Sequence, residues 1–209
     1  LQLYYIALLF DFIALAWAIT LGWSFALLIF AYGMASKAYS HPAIRLKKMP
    51  FAGWFVAGFF QGYVTFIMTY LGVTGASFSE TLTASIQIPA ILSTMLLFGS
   101  YPMTQIYQHD EDGKRGDETI SRKLGILGTF HFTAIAFIFS AAGFAYFFLK
   151  FHSPNHLIYF QIALLPVLVY FGYWYWITRK NIQMANYENT MRLNLLSSSA
   201  FNLFFLGMI

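Results

Sequence analysis

Residues 107–150 read YQHDEDGKRGDETISRKLGILGTFHFTAIAFIFSAAGFAYFFLK. The stretch changes character once. Five carboxylates and four bases crowd residues 110–123, and from residue 124 to 149 no Asp, Glu, Lys or Arg occurs. About 20 apolar residues rising 1.5 Å each cross roughly 30 Å of hydrocarbon, so the second half predicts a transmembrane helix and the first a connection at the membrane surface. The apolar run lacks the alternation of a barrel strand, and a backbone in lipid must satisfy its own hydrogen bonds.

Working outward, the same reading yields seven spans, at about residues 1–19, 22–38, 51–71, 82–107, 125–150, 156–178 and 189–209. The expected fold is all-α, a polytopic membrane helix bundle forming one domain over residues 1–209. Pro89 and Pro102 are expected to kink the fourth span. Composition agrees: 59% of residues are apolar and 21% aromatic, and only 10% are charged, against about a quarter in soluble domains. No Cys is present, which excludes a disulfide framework, a thiol nucleophile and a Cys-ligated metal.

The bases orient the bundle. Lys37, Arg45, Lys47 and Lys48 lie between spans two and three; Lys114, Arg115, Arg122 and Lys123 between four and five; Arg179, Lys180 and Arg192 between six and seven. Of the twelve, Lys150 alone falls on the other side. By the positive-inside rule these three connections are cytoplasmic. The net charge of +4 follows from that topology and calls for no nucleic-acid partner. Five of eight carboxylates fall within residues 110–118, and carboxylates interleaved with bases suit a divalent cation together with a phosphate.

The segment around Asp112 resembles the second signature of the UbiA superfamily of intramembrane prenyltransferases, with Asp112, Gly116, Thr119, Leu124 and Gly125 at the matching spacings. The loop YSHPAIRLKKMP, residues 39–50, is similar to the family's segment after its fourth helix. The resemblance implies nine helices, of which these spans would be three to nine. The family's first signature, Asn-Asp-x-x-Asp, does not occur here; it and two helices are expected N-terminal to Leu1, and residues 1–209 alone are expected to be inactive.

The resemblance further implies Mg²⁺-dependent transfer of an isoprenyl group from a polyprenyl diphosphate to an aromatic or other lipophilic acceptor, as in quinone, pigment or lipid biosynthesis. It implies an integral protein of a bacterial-type inner membrane with cytoplasmic active-site loops. Gln108 stands where the family has the first Asp of its second signature. Asp112 is then the expected main metal ligand, with Glu111 or Asp110 supplying part of the lost charge, and a helix would put Gln108, Glu111 and Asp112 on one face. Arg45, Lys47, Lys114 and Arg115 are the expected diphosphate ligands. Arg forks onto phosphate oxygens, whereas Lys acts as a point charge.

Tyr39, Gln61 and Tyr63 are candidate cavity residues, interhelical hydrogen bonding being the alternative for the last two. Asp11, mid-span, is expected to face the bundle in a hydrogen-bonding role. Alternative readings are a non-catalytic relative of the family and a small multi-helix transporter, which Asp11 and the prolines of span four would suit. A transporter gathers polar groups at midplane, however, and this chain gathers them at one face. The signature does not choose the acceptor, the chain length or the oligomeric state.

Overall fold

The computed structural model describes residues 2–208, which form helices and no strand. Helices α1 (Gln2–Leu21) and α2 (Trp23–Ser40) form a hairpin that turns at Gly22. The third span consists of α3 (Pro50–Phe59) and α4 (Thr65–Thr74), joined through a π-helical turn, Phe60–Val64. Then follow α5 (Ala84–Gln105), the short α6 (His109–Lys114), α7 (Ile120–Phe151), α8 (Pro154–Lys180) and α9 (Tyr187–Leu206). Pro50 and Pro154 open α3 and α8, where a missing N–H costs nothing.

Five stretches among the described residues are long and apolar enough to cross a membrane: Leu3–Leu21, Pro50–Thr74, Ala84–Lys114, Ile120–Phe151 and Pro154–Lys180. The chain is an integral membrane protein built as an all-α bundle. Two of the seven expected spans, α2 and α9, have 18 and 20 residues but fall short in hydropathy. In α9, Asn194, Ser197 and Ser198 lower the hydropathy and line the large cavity; in α2, Lys37 and the serines lower it. The 22 residues of α5 already measure about 33 Å, so α6 lies beyond the hydrocarbon, at the surface. Pro89 and Pro102 lie inside α5, and α7 carries a non-helical residue at Gly125 (φ 70°, ψ 170°).

Each span packs chiefly against its neighbours in sequence, and α5 against α7 is the most extensive pairing. One core cluster joins α5, α7, α8 and α9 around the fully buried Trp174. Its Nε1 donates to the Met184 carbonyl at 2.7 Å, and its ring meets Phe130 edge-on at 5.0 Å. A second cluster, with Phe144, Phe148, Phe160 and Phe204, fills the end away from the basic loops. The third span meets α5 by close backbone approach: a Cβ on Gly62 would stand 2.5 Å from Thr94 Cα. Lipid offers no hydrophobic drive to helix association, so such small-residue contacts carry the packing. Asp11 of α1 pairs with Lys37 of α2 at 2.5 Å, both about half exposed.

Candidate functional site

Two loops meet at the basic end of the bundle. The first follows α2; Arg45 sits there in the left-handed region (φ 49°, ψ 57°), unusual for a residue with a side chain, and a tight turn, Leu46–Lys48, leads into α3. The second joins α5 to α7 through a tight turn, Ile106–Gln108, and α6. Two bonds tie them: Arg45 Nη2 donates to Asp117 Oδ2 at 2.9 Å, and the Glu118 N–H donates to the Lys48 carbonyl at 3.2 Å.

Asp112 and Asp117 lie together behind this tie. Gly116 turns the chain with φ 69°, open to glycine without strain, and the Asp117 N–H then donates to the Asp112 carbonyl at 2.8 Å. The two residues are only 8% and 4% exposed. Asp112 Oδ2 and Asp117 Oδ1 are both buried without a hydrogen-bond partner. Burial first, and the charge of Asp117 second, push the Asp112 carboxyl above the ordinary aspartate range; Arg122, Arg115 and a hydrogen bond from Thr119 pull it partly back. Arg122 donates through Nη1 to the Asp117 carbonyl.

Beneath the pair runs a polar chain into the bundle. His109 Nε2 and Ser121 Oγ are 2.8 Å apart, and Ser121 Oγ and Thr129 Oγ1 3.0 Å. Burial, and then Arg122, push the His109 imidazole down, which favours the neutral ring. Gln105 Nε2 donates to the Tyr101 hydroxyl at 3.1 Å, which hydrogen-bonds the Tyr39 hydroxyl of α2. Both tyrosines are within electrostatic reach of Asp112.

The other residues singled out by sequence are dispersed. Gln108 donates to the Thr104 carbonyl at 3.3 Å; Glu111 is exposed and pairs with Arg115 at 3.3 Å; Asp110 and Lys114 are exposed, and Lys47 is half-buried. Gln108, Glu111 and Asp112 do not share a face, because the tight turn ends at Gln108 and α6 starts afresh after it. No group of three His, Asp or Glu side chains converges among the described residues. Asp117, Arg122 and Tyr101 were not singled out by sequence; the one local signal for Asp117 was the glycine before it.

Three cavities share walls within the bundle. Tyr32, Ser36, Tyr39, Phe60 and Gln61 line a small one of about 100 Å³. Gln61 also lines a second, of about 470 Å³, along α4. Phe66, Tyr70 and Ser93 pass from that one into a third, of about 800 Å³, enclosed by α4, α5, α7, α8 and α9. Its walls run along α5 from Ser85 to Met103, about 27 Å. Tyr63 instead donates its hydroxyl to Gln87 Oε1 at 2.8 Å, bridging to α5.

Carboxylates and bases at one end of a bundle with a long apolar cavity suit an enzyme of lipid diphosphates, and the profile of the UbiA prenyltransferase family matches residues 1–196. The chain belongs to that family. A search of curated proteins and of solved structures finds no match. Membership in the UbiA family implies prenyl transfer to lipophilic acceptors in general. The carboxylate pair fits the divalent cation that such chemistry uses: two buried oxygens without partners are hard donors, and leaving them unsatisfied is costly. Asp112 and Asp117 are thus two hard oxygen donors that could take a divalent cation.

Proposed function

We propose that this protein catalyses Mg²⁺-dependent transfer of an isoprenyl group from a polyprenyl diphosphate to an aromatic or other lipophilic acceptor, with its basic end at the cytoplasmic face of a bacterial-type inner membrane. The observation that carries this reading is the pair of unsatisfied carboxylate oxygens at the basic end of a bundle that holds an apolar cavity long enough for an isoprenoid tail. Asp112 and Asp117 would hold Mg²⁺, with Asp110, Glu111 and Gln108 around them on α6 and the turn before it. When bound, the metal neutralises diphosphate charge as that group departs.

The chain's own residues do the rest. Arg45 and Arg122 stand beside the carboxylates and offer forked donors to phosphate oxygens, while Lys47, Lys114 and Arg115 add positive charge at the rim. The allylic carbon–oxygen bond breaks with its electron pair leaving on the diphosphate; the acceptor forms the new bond to that carbon and releases a proton. Tyr32, Tyr39 and Phe60 surround the small cavity nearest the mouth, where aromatic faces stabilise allylic positive charge. The tail occupies the large cavity, and water is excluded by its Phe-rich walls.

The test is to express the full-length gene product in membranes and supply a panel of prenyl diphosphates and acceptors with and without Mg²⁺. Metal-dependent diphosphate release coupled to acceptor prenylation is expected. Its absence with every acceptor refutes the reading.

A further inference from the structure

The π-helical turn Phe60–Val64 has a visible cause. The Tyr63 N–H leaves the helical ladder to donate to Thr94 Oγ1 at 2.8 Å, while Gly62 lets α5 approach until backbone meets backbone. Single π turns mark functional sites often enough to warrant attention to the residue they re-aim. That residue is Gln61, which lines both the first and second cavities; its side chain is exposed and takes part in none of the side-chain hydrogen bonds found among the described residues. It lies eleven residues past Pro50, roughly 16 Å along the span and so near the middle of the hydrocarbon. A bare amide at that depth is costly, and a ligand that hydrogen-bonds it removes the cost.

The surroundings restrict that ligand. Among the described residues, the linings of all three cavities contain no Lys, Arg, Asp or Glu. His152, the one imidazole, lines the large cavity at the far end of α7, opposite the basic loops. An anionic head beside Gln61, at the depth of the hydrocarbon, would meet no counter-charge in these linings. A carbonyl or hydroxyl, by contrast, matches an amide that both donates and accepts.

We propose that Gln61 recognises the acceptor, and that the acceptor is a neutral lipophilic molecule with a carbonyl or hydroxyl head, as opposed to a carboxylate or phosphate. The inference rests on the prenyltransferase reading above. It deepens that reading by assigning the acceptor's chemical class and the residue that reads it.

The experiment uses the full-length gene product in nanodiscs with polyprenyl diphosphate and Mg²⁺, and compares methylhydroquinone with 2,5-dihydroxybenzoate, its carboxylate counterpart. Methylhydroquinone is expected to show the higher kcat/KM, by about tenfold or more. Gln61→Leu and Gln61→Met should raise the KM for methylhydroquinone about fivefold to tenfold, as for one lost hydrogen bond, with the KM for the diphosphate unchanged and the Tm of the unliganded protein no lower. Equal or preferred use of 2,5-dihydroxybenzoate, or an unchanged acceptor KM in both variants, overturns the inference and leaves the prenyltransferase reading standing. Diphosphate release with neither compound overturns the inference as well; release with no acceptor of the wider panel overturns the reading beneath it.

Discussion

The tie between the two basic-end loops makes a quantitative prediction. Arg45 and Asp117, 72 residues apart in sequence, meet at 2.9 Å with side-chain exposures of 29% and 5%. At that distance and an effective dielectric constant of about 20, the gross attraction is about 6 kcal/mol. Desolvation of Asp117 and partial hydration of Arg45 offset most of it, leaving a coupling of about 2 kcal/mol, as for a charge-assisted hydrogen bond. The two single variants should differ. Arg45→Gln strands a buried carboxylate, already beside Asp112, and should cost about 3 kcal/mol. Asp117→Asn leaves an arginine that can rehydrate and relieves repulsion on Asp112, so its cost is about 1 kcal/mol. At about 2–4 °C per kcal/mol for a chain of this size, thermal unfolding in detergent should show Tm lowered by about 6–12 °C in Arg45→Gln and about 2–4 °C in Asp117→Asn. With the coupling restored to the sum, the double variant should fall by about 4–8 °C and melt above Arg45→Gln. A double variant that simply adds the two losses would refute the tie.

Three further predictions concern the carboxylate pair and the bulge. Asp112→Asn should lower Mg²⁺-dependent kcat by at least about 100-fold, since it removes a charged donor acting on the departing group, while raising the Tm of the metal-free protein; normal turnover would remove Asp112 from the site. The pH dependence has a definite sign. The Asp112 pKa is raised by folding, so its titration favours the metal-free fold below the unfolded pKa, and that contribution is lost as pH rises through the folded value. Metal affinity must run the opposite way, weakening on acidification at a pH above the ordinary aspartate range, as Mn²⁺ binding followed by electron paramagnetic resonance would detect; a pH-independent affinity would count against Asp112 as ligand. Gly62→Ala drives a Cβ to within 2.5 Å of Thr94 Cα and should cost about 1–3 kcal/mol through overpacking, visible as a Tm loss; an unchanged Tm would mean the helices are not in close contact there.

Much of this architecture was legible in the sequence because its cause is local. A run such as residues 124–149, with no charge, belongs in hydrocarbon whatever its neighbours do, so the helical class, the order of the spans and the crowding of bases at one end follow from one-dimensional counting. The spacing from Asp112 to Gly125 is likewise read along the chain. The weak points were α2 and α9, whose Lys, Asn and Ser residues lower the hydropathy by which a span is recognised.

The site needed three dimensions. Nothing in the spacing of Asp110, Glu111 and Asp112 says that two of them face water and the third is buried, because that depends on where a tight turn ends and a short helix begins. Asp117 becomes the partner of Asp112 through a left-handed Gly116 and is held by an arginine from another loop. Gln61 faces the cavities because Thr94, on a different helix, draws a backbone N–H out of its ladder. The sequence by itself determined the solvent, the helices and the charged end, since transfer energies add residue by residue. Which carboxylates pair, which amide is left bare and where the cavities connect were decided only by the tertiary structure, since those contacts form between segments that share no local pattern.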